Sequence, residues 1–364
     1  MKIKGKSWQT IWLVNDTHVE VIDQTHLPHK FITKKLLEVD DFFWAIKNMV
    51  VRGAPLIGVT GAYGLAFSIK GDASEANIKK NRKYLESARP TAVNLKWALD
   101  RICKKIHNIN LENRFTTALE EAQLIEKEDI EMCSEIGENG LKVLRNIYKE
   151  KLKKEANCRL NILTHCNAGW LATVDWGTAL APIYKAVREN INLHVWVDET
   201  RPRNQGANLT AYELDSEGIS HSVIVDNAGG YLMQNNKVDL VIVGSDRTTS
   251  IGDVCNKIGT YLKALAAKEN KIPFYVALPI STIDWTLEDG VKTIPIEQRS
   301  SDEVKYISGL DMNGEIQKVQ ILPKGCKSYN PAFDVTPAKY VTGLITEKGV
   351  CRPDKLSLKS LYFG

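Results

Sequence analysis

Hydrophobic and polar positions follow three successive rhythms along this chain. Over residues 8–14 apolar and polar residues alternate and strand formers dominate, Asn15-Asp16 supplies a turn, and residues 18–22 alternate again. The first forty residues therefore read as a small antiparallel meander. From about Asp40 the period becomes helical. Phe43, Ile46, Met49 and Val50 fall at helical spacing, and Gly53 is expected to stop that helix. Further helices are expected over residues 63–69 and 94–106. Residues 116–149 are nearly free of Gly and Pro, and predict one long helix or two abutting ones broken near 137–140.

From about Arg159 the rhythm changes once more. ILTH (162–165), HVWVDE (194–199), SVIVD (222–226), DLVIVG (239–244) and PFYVAL (273–278) are short Val- and Ile-rich runs separated by segments of helical length. Strands alternating with helices imply an α/β fold with a parallel sheet and right-handed crossovers. Runs apolar on both alternations suit a sheet covered on both faces. One crossover helix is expected over 254–268, with Val254, Ile258, Leu262, Leu265 and Ala266 on its buried face. The chain divides on this basis into residues 1–150, a smaller helical domain with a short antiparallel sheet, and residues 151–364, the parallel-sheet domain.

In open parallel sheets, ligands bind beyond the carboxyl ends of the strands. Four successive strand ends here are polar or Gly-rich: Thr164-His165-Cys166-Asn167-Ala168-Gly169, residues 198–206 (DETRPRNQG), residues 226–230 (DNAGG), and Gly244-Ser245-Asp246-Arg247. Glycines let a backbone approach a ligand closely, and helix starts favour anions. Neither GxGxxG nor GxxxxGK[ST] occurs, so a small phosphorylated ligand fits better than a dinucleotide. Cys166 lies where strand passes to helix, which would lower its thiol pKa; the alternative is an inert buried cysteine. Asp246 follows an apolar strand, where desolvation would raise its pKa and keep a proton available; the alternatives are a helix cap or a salt bridge with Arg247. Asp198 and Glu199 are expected to bond the arginines that follow them; the alternative is a second acid pair.

Composition narrows the picture further. Hydrophobic residues make up 43%, and 48 basic against 44 acidic residues leave +4, too little to argue for nucleic acid. The basic stretch 149–154 is interleaved with Glu150 and reads as a solvated helix face. No apolar run approaches the ~20 residues of a membrane span, and nothing reads as a signal peptide. Seven cysteines without CxxC spacing imply free thiols in a reducing, cytoplasmic compartment. The seven histidines show no ligand spacing, so no metal is expected, and His165 is expected to point away from Cys166 as a structural residue.

Long blocks in fixed order carry a family resemblance: VVRGAPLIGVTGAYGL, ARPTAVNLKWALDR, ILTHCNAGWLATVDWGTA, VWVDETRPRNQGANLTAYEL, VIVDNAGG, VDLVIVGSDRTTSIGDVCNKIGTYLKALAAKEN and NPAFDVTP. The chain resembles the methylthioribose-1-phosphate isomerases, which share a fold with the α, β and δ subunits of eukaryotic initiation factor 2B. The resemblance implies a Rossmann-like C-terminal domain, a homodimer, no cofactor, and conversion of 5-methylthioribose 1-phosphate to 5-methylthioribulose 1-phosphate in methionine salvage. It implies Cys166 and Asp246 as catalytic residues. It implies substrate contacts from Arg52, Gly53, Ala54, Arg89, Gln205, Asn256 and Lys257, with Arg52, Arg89 and Lys257 facing the phosphate.

The chain departs from the family pattern at GSDR (usually GADR), at TTSIGD (usually an AANGD-type stretch), and at Trp170 and Trp176, where smaller residues are usual. These positions are expected to line the site, the tryptophans as apolar walls or as ordinary core. Asp246 is expected to protonate the ring oxygen or shuttle protons later. Cys166 would act as the base at C2 of a cis-enediol or support hydride transfer. 5-Deoxyribose 1-phosphate and ribose 1,5-bisphosphate are rival substrates, and a non-catalytic regulatory subunit of the initiation-factor type is the rival of another class.

Overall fold

The computed structural model describes residues 1–3 and 5–363. The meander is present as Ile11–Val14, His18–Ile22 and Thr33–Leu36, paired in that order and antiparallel. The helices Val39–Lys47, Ala54–Ser68, Glu75–Ala88, Val93–Ile106 and Leu111–Leu152 follow.

Three expectations fail here for physical reasons. The first helix ends at Lys47, not at Gly53: Met49 turns to φ +59, and Gly53, at φ +87, instead caps the start of Ala54–Ser68. That second helix begins nine residues before the expected position 63, and its buried residues fall on every side rather than on one stripe. The polar helix Glu75–Ala88 buries little and had no clear stripe to betray it.

The long helix is unbroken through 42 residues. Gly137 and Gly140 allow a close crossing rather than a break. A Cβ on Gly140 would lie 2.3 Å from the Pro182 ring, and one on Gly137 would lie 2.5 Å from the Lys185 side chain, both on the helix Ala181–Arg188. Gly140→Ala must therefore push two helices apart. We expect it to cost about 1–3 kcal/mol, read as a lowered midpoint in urea unfolding.

The large sheet has the order Gly349–Cys351, Gly343–Thr346, Phe274–Ala277, Leu240–Val243, Leu160–Thr164, Leu193–Asp198, His221–Ile224. All neighbours are parallel except the first pair. Alternate residues feed two cores. Leu160, Ile162, Val195, Val197, Leu240 and Ile242 face one, while Leu163, Val241, Val243, Phe274 and Val276 face the other, as a sheet covered on both faces demands. The strand Leu160–Thr164 comes first. The chain builds outward from it on one side, then returns to lay Leu240–Val243 on its other side. The reversal of strand order, where such sheets open a ligand crevice, falls between these two strands.

Residues 254–268 are not one helix. Val254–Lys257 is a strand, paired antiparallel with Phe333–Thr336, and only Thr260–Glu269 is helical. Gly259 at φ +103 makes the corner, where a Cβ would meet the His165 ring at 2.9 Å. The buried positions are Thr260, Lys263, Ala264 and Ala267, and Leu262 is exposed. The apolar stripe misled because Lys263 is drawn inward by a buried acid, described below.

Candidate active site

Cys166 lies two residues beyond Leu160–Thr164, and Asp246 three beyond Leu240–Val243, so the two flank the crevice at the strand-order reversal. Both line one cavity of about 320 Å³ together with Arg52, Gly53, Arg89, Gln205, Lys257, Met49, Phe333 and Arg299. Ala54 and Asn256 line an adjoining part that shares Cys166 and Asp246. All nine residues expected at the site therefore meet around one cleft.

The backbone at Cys166 is held in a conformation few side chains adopt, φ +66. Its N–H donates to Thr200 Oγ1 at 2.8 Å and its carbonyl accepts from Thr210 Oγ1 at 2.7 Å. Such over-determined strain is a mark of functional positions. The thiol donates toward Gln205 Oε1 at 3.5 Å. Its pKa corrects the expectation. Cys166 does not start a helix, since the chain beyond it reaches only the short 3₁₀ turn Trp170–Ala172, and burial pushes the thiol up, with Arg52 and Lys257 pulling the other way. Cys166 is a thiol, not a thiolate, near neutrality.

Asp246 fits its expectation. It is half-buried, its N–H donates to Cys255 O at 3.0 Å, and burial raises its carboxyl against the pull of Arg89, Lys257 and Arg52. Arg247 is not its partner, because Nη2 of that arginine donates to Thr91 O.

The cations come from three directions. Arg52 precedes the positive end of the 15-residue helix Ala54–Ser68. Each of its terminal nitrogens donates one hydrogen to Asn167, one to Oδ1 and one to the carbonyl at 2.8 Å, and keeps a second. Gly53 cannot be replaced, since a Cβ there would lie 2.2 Å from Ala172 O. Lys257, on the strand beside Phe333–Thr336, has its Nζ 5.5 Å from the Phe333 ring centroid. Burial lowers its pKa, and Cys166 and Asp246 raise it. Arg89 sits 3.6 Å from Glu297.

Several expectations are overturned around this centre. Asp198 does not bond an arginine. It accepts from His165 Nδ1 at 2.8 Å and pairs with Lys263 Nζ at 3.2 Å, while Arg201 and Arg203 turn to Val304 O and Glu303. His165 is structural as expected, with Nε2 2.7 Å from Ile258 O. His165, Asp198 and Asp226 could in principle surround a cation, but the Lys263 ammonium already fills that place, also donating to Asp226 O. Trp170 is fully buried in the sheet core, and Trp176 packs its ring against Lys185 and Arg188 at 4.1 and 4.6 Å; neither lines the cleft. Of the other departures, Ser245 lines the cleft and Thr248 satisfies it, oxygen to oxygen at 2.8 Å. The rest of TTSIGD faces away from the cleft: Ser250 bonds Leu287, and Asp253 accepts from Gly290 N and Ala338 N.

Sequence reasoning missed four contributors. Asn167 and Thr200 stood in the strand-end segments but carried no signal beyond polarity. Arg299 lies outside every strand end. Glu213 is fully buried beneath Asn167, and its carboxylate accepts from Asn167 Nδ2 at 2.8 Å, Trp170 N at 3.0 Å, Leu171 N at 3.0 Å and the Tyr184 hydroxyl.

A parallel sheet whose strand-order reversal holds a thiol, a carboxyl and several cations is an α/β enzyme site suited to a small anionic ligand. Residues 50–353 match the model of the initiation factor 2 subunit family. The chain is 53% identical to the methylthioribose-1-phosphate isomerase of Methylocella silvestris over 363 residues, covering 100% of this chain and 98% of that one. It is 56% identical to the enzyme of that name from Methylorubrum populi, with the same coverage. The crystal structure of 5-methylthioribose 1-phosphate isomerase from Pyrococcus horikoshii superposes with a TM-score of 0.83 at 40% identity, over 98% of this chain and 96% of that one. A structure described as translation initiation factor eIF-2B subunit delta from A. fulgidus gives 0.78 at 38%, over 98% and 99%. The chain belongs to the methylthioribose-1-phosphate isomerases within the initiation factor 2 subunit family.

Proposed function

We infer that the chain is an aldose–ketose isomerase that converts 5-methylthioribose 1-phosphate to 5-methylthioribulose 1-phosphate, a step of methionine salvage. The observation that carries its chemistry is the convergence of Cys166 and Asp246 with Arg52, Arg89 and Lys257 on one cleft at the strand-order reversal. A regulatory subunit would have no need of a strained cysteine facing a desolvated acid.

The phosphate blocks the anomeric oxygen, so the ring must open by departure of the ring oxygen from C1. Asp246 holds its proton to higher pH than a free carboxyl, and supplies it to that oxygen as the bond breaks. The hydrogen on C2 then passes to C1. As a hydride it needs no base at carbon: the 2-hydroxyl proton returns to Asp246 as the C2 carbonyl forms, and the proton count closes. The enediol route would need Cys166 to lose a proton that burial holds in place, so the site favours the hydride. Cys166 then contributes a polarizable sulfur beside the migrating hydrogen. Turnover in deuterium oxide is expected to leave C1 of the product free of solvent deuterium; stoichiometric label at C1 would assign the enediol route.

The substituent at C5 is read from the walls. Ile57, Ala92, Ile294 and Phe333 form an apolar recess that shares Arg89 and Asp246 with the cleft. It suits a thiomethyl group, and its two cations are already engaged, Arg89 beside Glu297 and Arg247 donating to Thr91 O. We expect kcat/KM for the methylthio sugar to exceed that for 5-deoxyribose 1-phosphate by about tenfold or more, with ribose 1,5-bisphosphate far behind. Equal or higher values for the bisphosphate would reassign the substrate.

The division into residues 1–150 and 151–364, a homodimer, and a cytoplasmic location accompany this reading. No helix among the described residues is long and apolar enough to cross a membrane.

A further inference from the structure

The segment around Arg299 enters the cleft from outside every strand end. Its backbone is pinned by Arg299 N–H to Asn330 O at 3.0 Å and by a bridge between Gln298 and Pro331. The guanidinium is aimed by two carboxylates. Nε and Nη2 donate to Glu303 at 2.7–3.1 Å, and Nη1 donates to Glu297 Oε1 at 2.8 Å. The pattern continues both ways. The second oxygen of Glu297 lies 3.6 Å from Arg89, and Glu303 also accepts from Arg203 at 3.0 Å. Arg89, Glu297, Arg299, Glu303 and Arg203 thus form a row of alternating charge from the helical half of the molecule to the loop that bears Gln205.

Three of the five N–H groups of Arg299 are used in this row, and one hydrogen on each terminal nitrogen is left over. The side chain lines the cavity beside Lys257, close enough that their charges repel. Arg52, Arg89, Lys257 and Arg299 face that cavity with Asp246 as the lone carboxylate on its wall. A wall with that excess of cations attracts an anion, and a planar fork held by carboxylates behind it can offer its remaining hydrogens to an oxyanion. Glu297 already holds two of these arginines in register, as a phosphate would.

We propose that Arg299 is a further substrate-binding residue, which contacts the phosphate dianion alongside Arg89 and Lys257 and is aimed by Glu297 and Glu303. The inference rests on the isomerase reading for its substrate, but not for its test. Binding of inorganic phosphate to the full-length protein, followed by calorimetry, is compared with sugar turnover for wild type, Arg299→Gln and Arg299→Lys. Arg299→Gln is expected to weaken phosphate binding and raise KM for the sugar 1-phosphate by roughly tenfold or more, with kcat changed less than threefold. Arg299→Lys should recover part of the loss, because it keeps the charge without the fork. Wild-type phosphate affinity and KM in Arg299→Gln, whether or not its Tm falls, would overturn the proposal and leave Arg299 as a structural ion pair. Phosphate binding that depends on Arg299 in a protein that does not isomerise the sugar would instead refute the function proposed above and leave this inference standing.

Discussion

Cys166→Ser and Asp246→Asn will each leave a folded protein with turnover of 5-methylthioribose 1-phosphate reduced by about 10²–10⁴-fold, the range set by removal of a positioned acid or its partner in the transition state. The two losses have different origins. Asparagine keeps the shape of Asp246 and its hydrogen bond from the backbone but cannot give a proton to the ring oxygen, so kcat should fall with KM little changed. Serine keeps the donor toward Gln205 at Cys166 but removes the polarizable sulfur. Because Asp246 and Cys166 face the same cleft and the Asp246 carboxylate helps to raise the Cys166 thiol, the double variant should lose less than the product of the single losses. The backbone at residue 166 keeps φ +66 through Thr200 and Thr210, which bond its amide and carbonyl. Neither variant should therefore unfold, and unchanged thermal midpoints would confirm that.

Glu213→Gln is expected to be the most destabilising conservative change outside the cleft, by about 2–4 kcal/mol. The carboxylate meets four donors and no acceptor. An amide would point its own N–H₂ at two of them. Arg52 should feel the same change, since Asn167 links Glu213 to it, and KM should rise. Burial raises the Glu213 carboxyl to about 7, against the hydrogen bonds from Tyr184 and Asn167 and the charge of Arg52. A carboxyl raised on folding from its ordinary ~4.3 binds more protons in the native state. Its contribution to stability is complete below that ordinary value and is lost as pH climbs toward 7. Asp129, buried and also raised to about 7, adds in the same sense. Urea unfolding of the wild type between pH 4.5 and 7.5 should show this downward component. A stability that rises monotonically across that window would contradict it.

The sheet and the strand ends were legible in the sequence because both follow from period. Residues 160–164, 193–198 and 240–243 alternate between two cores, and that alternation is written in their valines and isoleucines. Cys166 and Asp246 could be placed at one edge from strand order alone, and the family motifs then added Arg52, Arg89, Gln205, Asn256 and Lys257. What stayed hidden depends on long-range packing. Gly137 and Gly140 read as breakers, yet they serve a helix crossing that no local pattern records. Lys263 reads as solvent-facing, yet it is turned inward to Asp198, which reverses the apparent stripe of its helix. Trp170 and Trp176 could be read as cleft walls or as core, and the fold makes one core and sets the other against Lys185 and Arg188. Arg299 could be seen only once the chain had folded, since the groups that aim it stand two and four residues away and its target lies across the molecule.

The most direct test follows the ketone. Purified protein is incubated with 5-methylthioribose 1-phosphate carrying ¹³C at C2, and the reaction is watched by NMR without added metal or cofactor. Appearance of a C2 carbonyl resonance, with the phosphate still on C1 and the signal absent in Asp246→Asn, is the predicted result. An unchanged C2 sugar resonance with folded wild-type protein, or the same carbonyl signal from Asp246→Asn, would contradict the account.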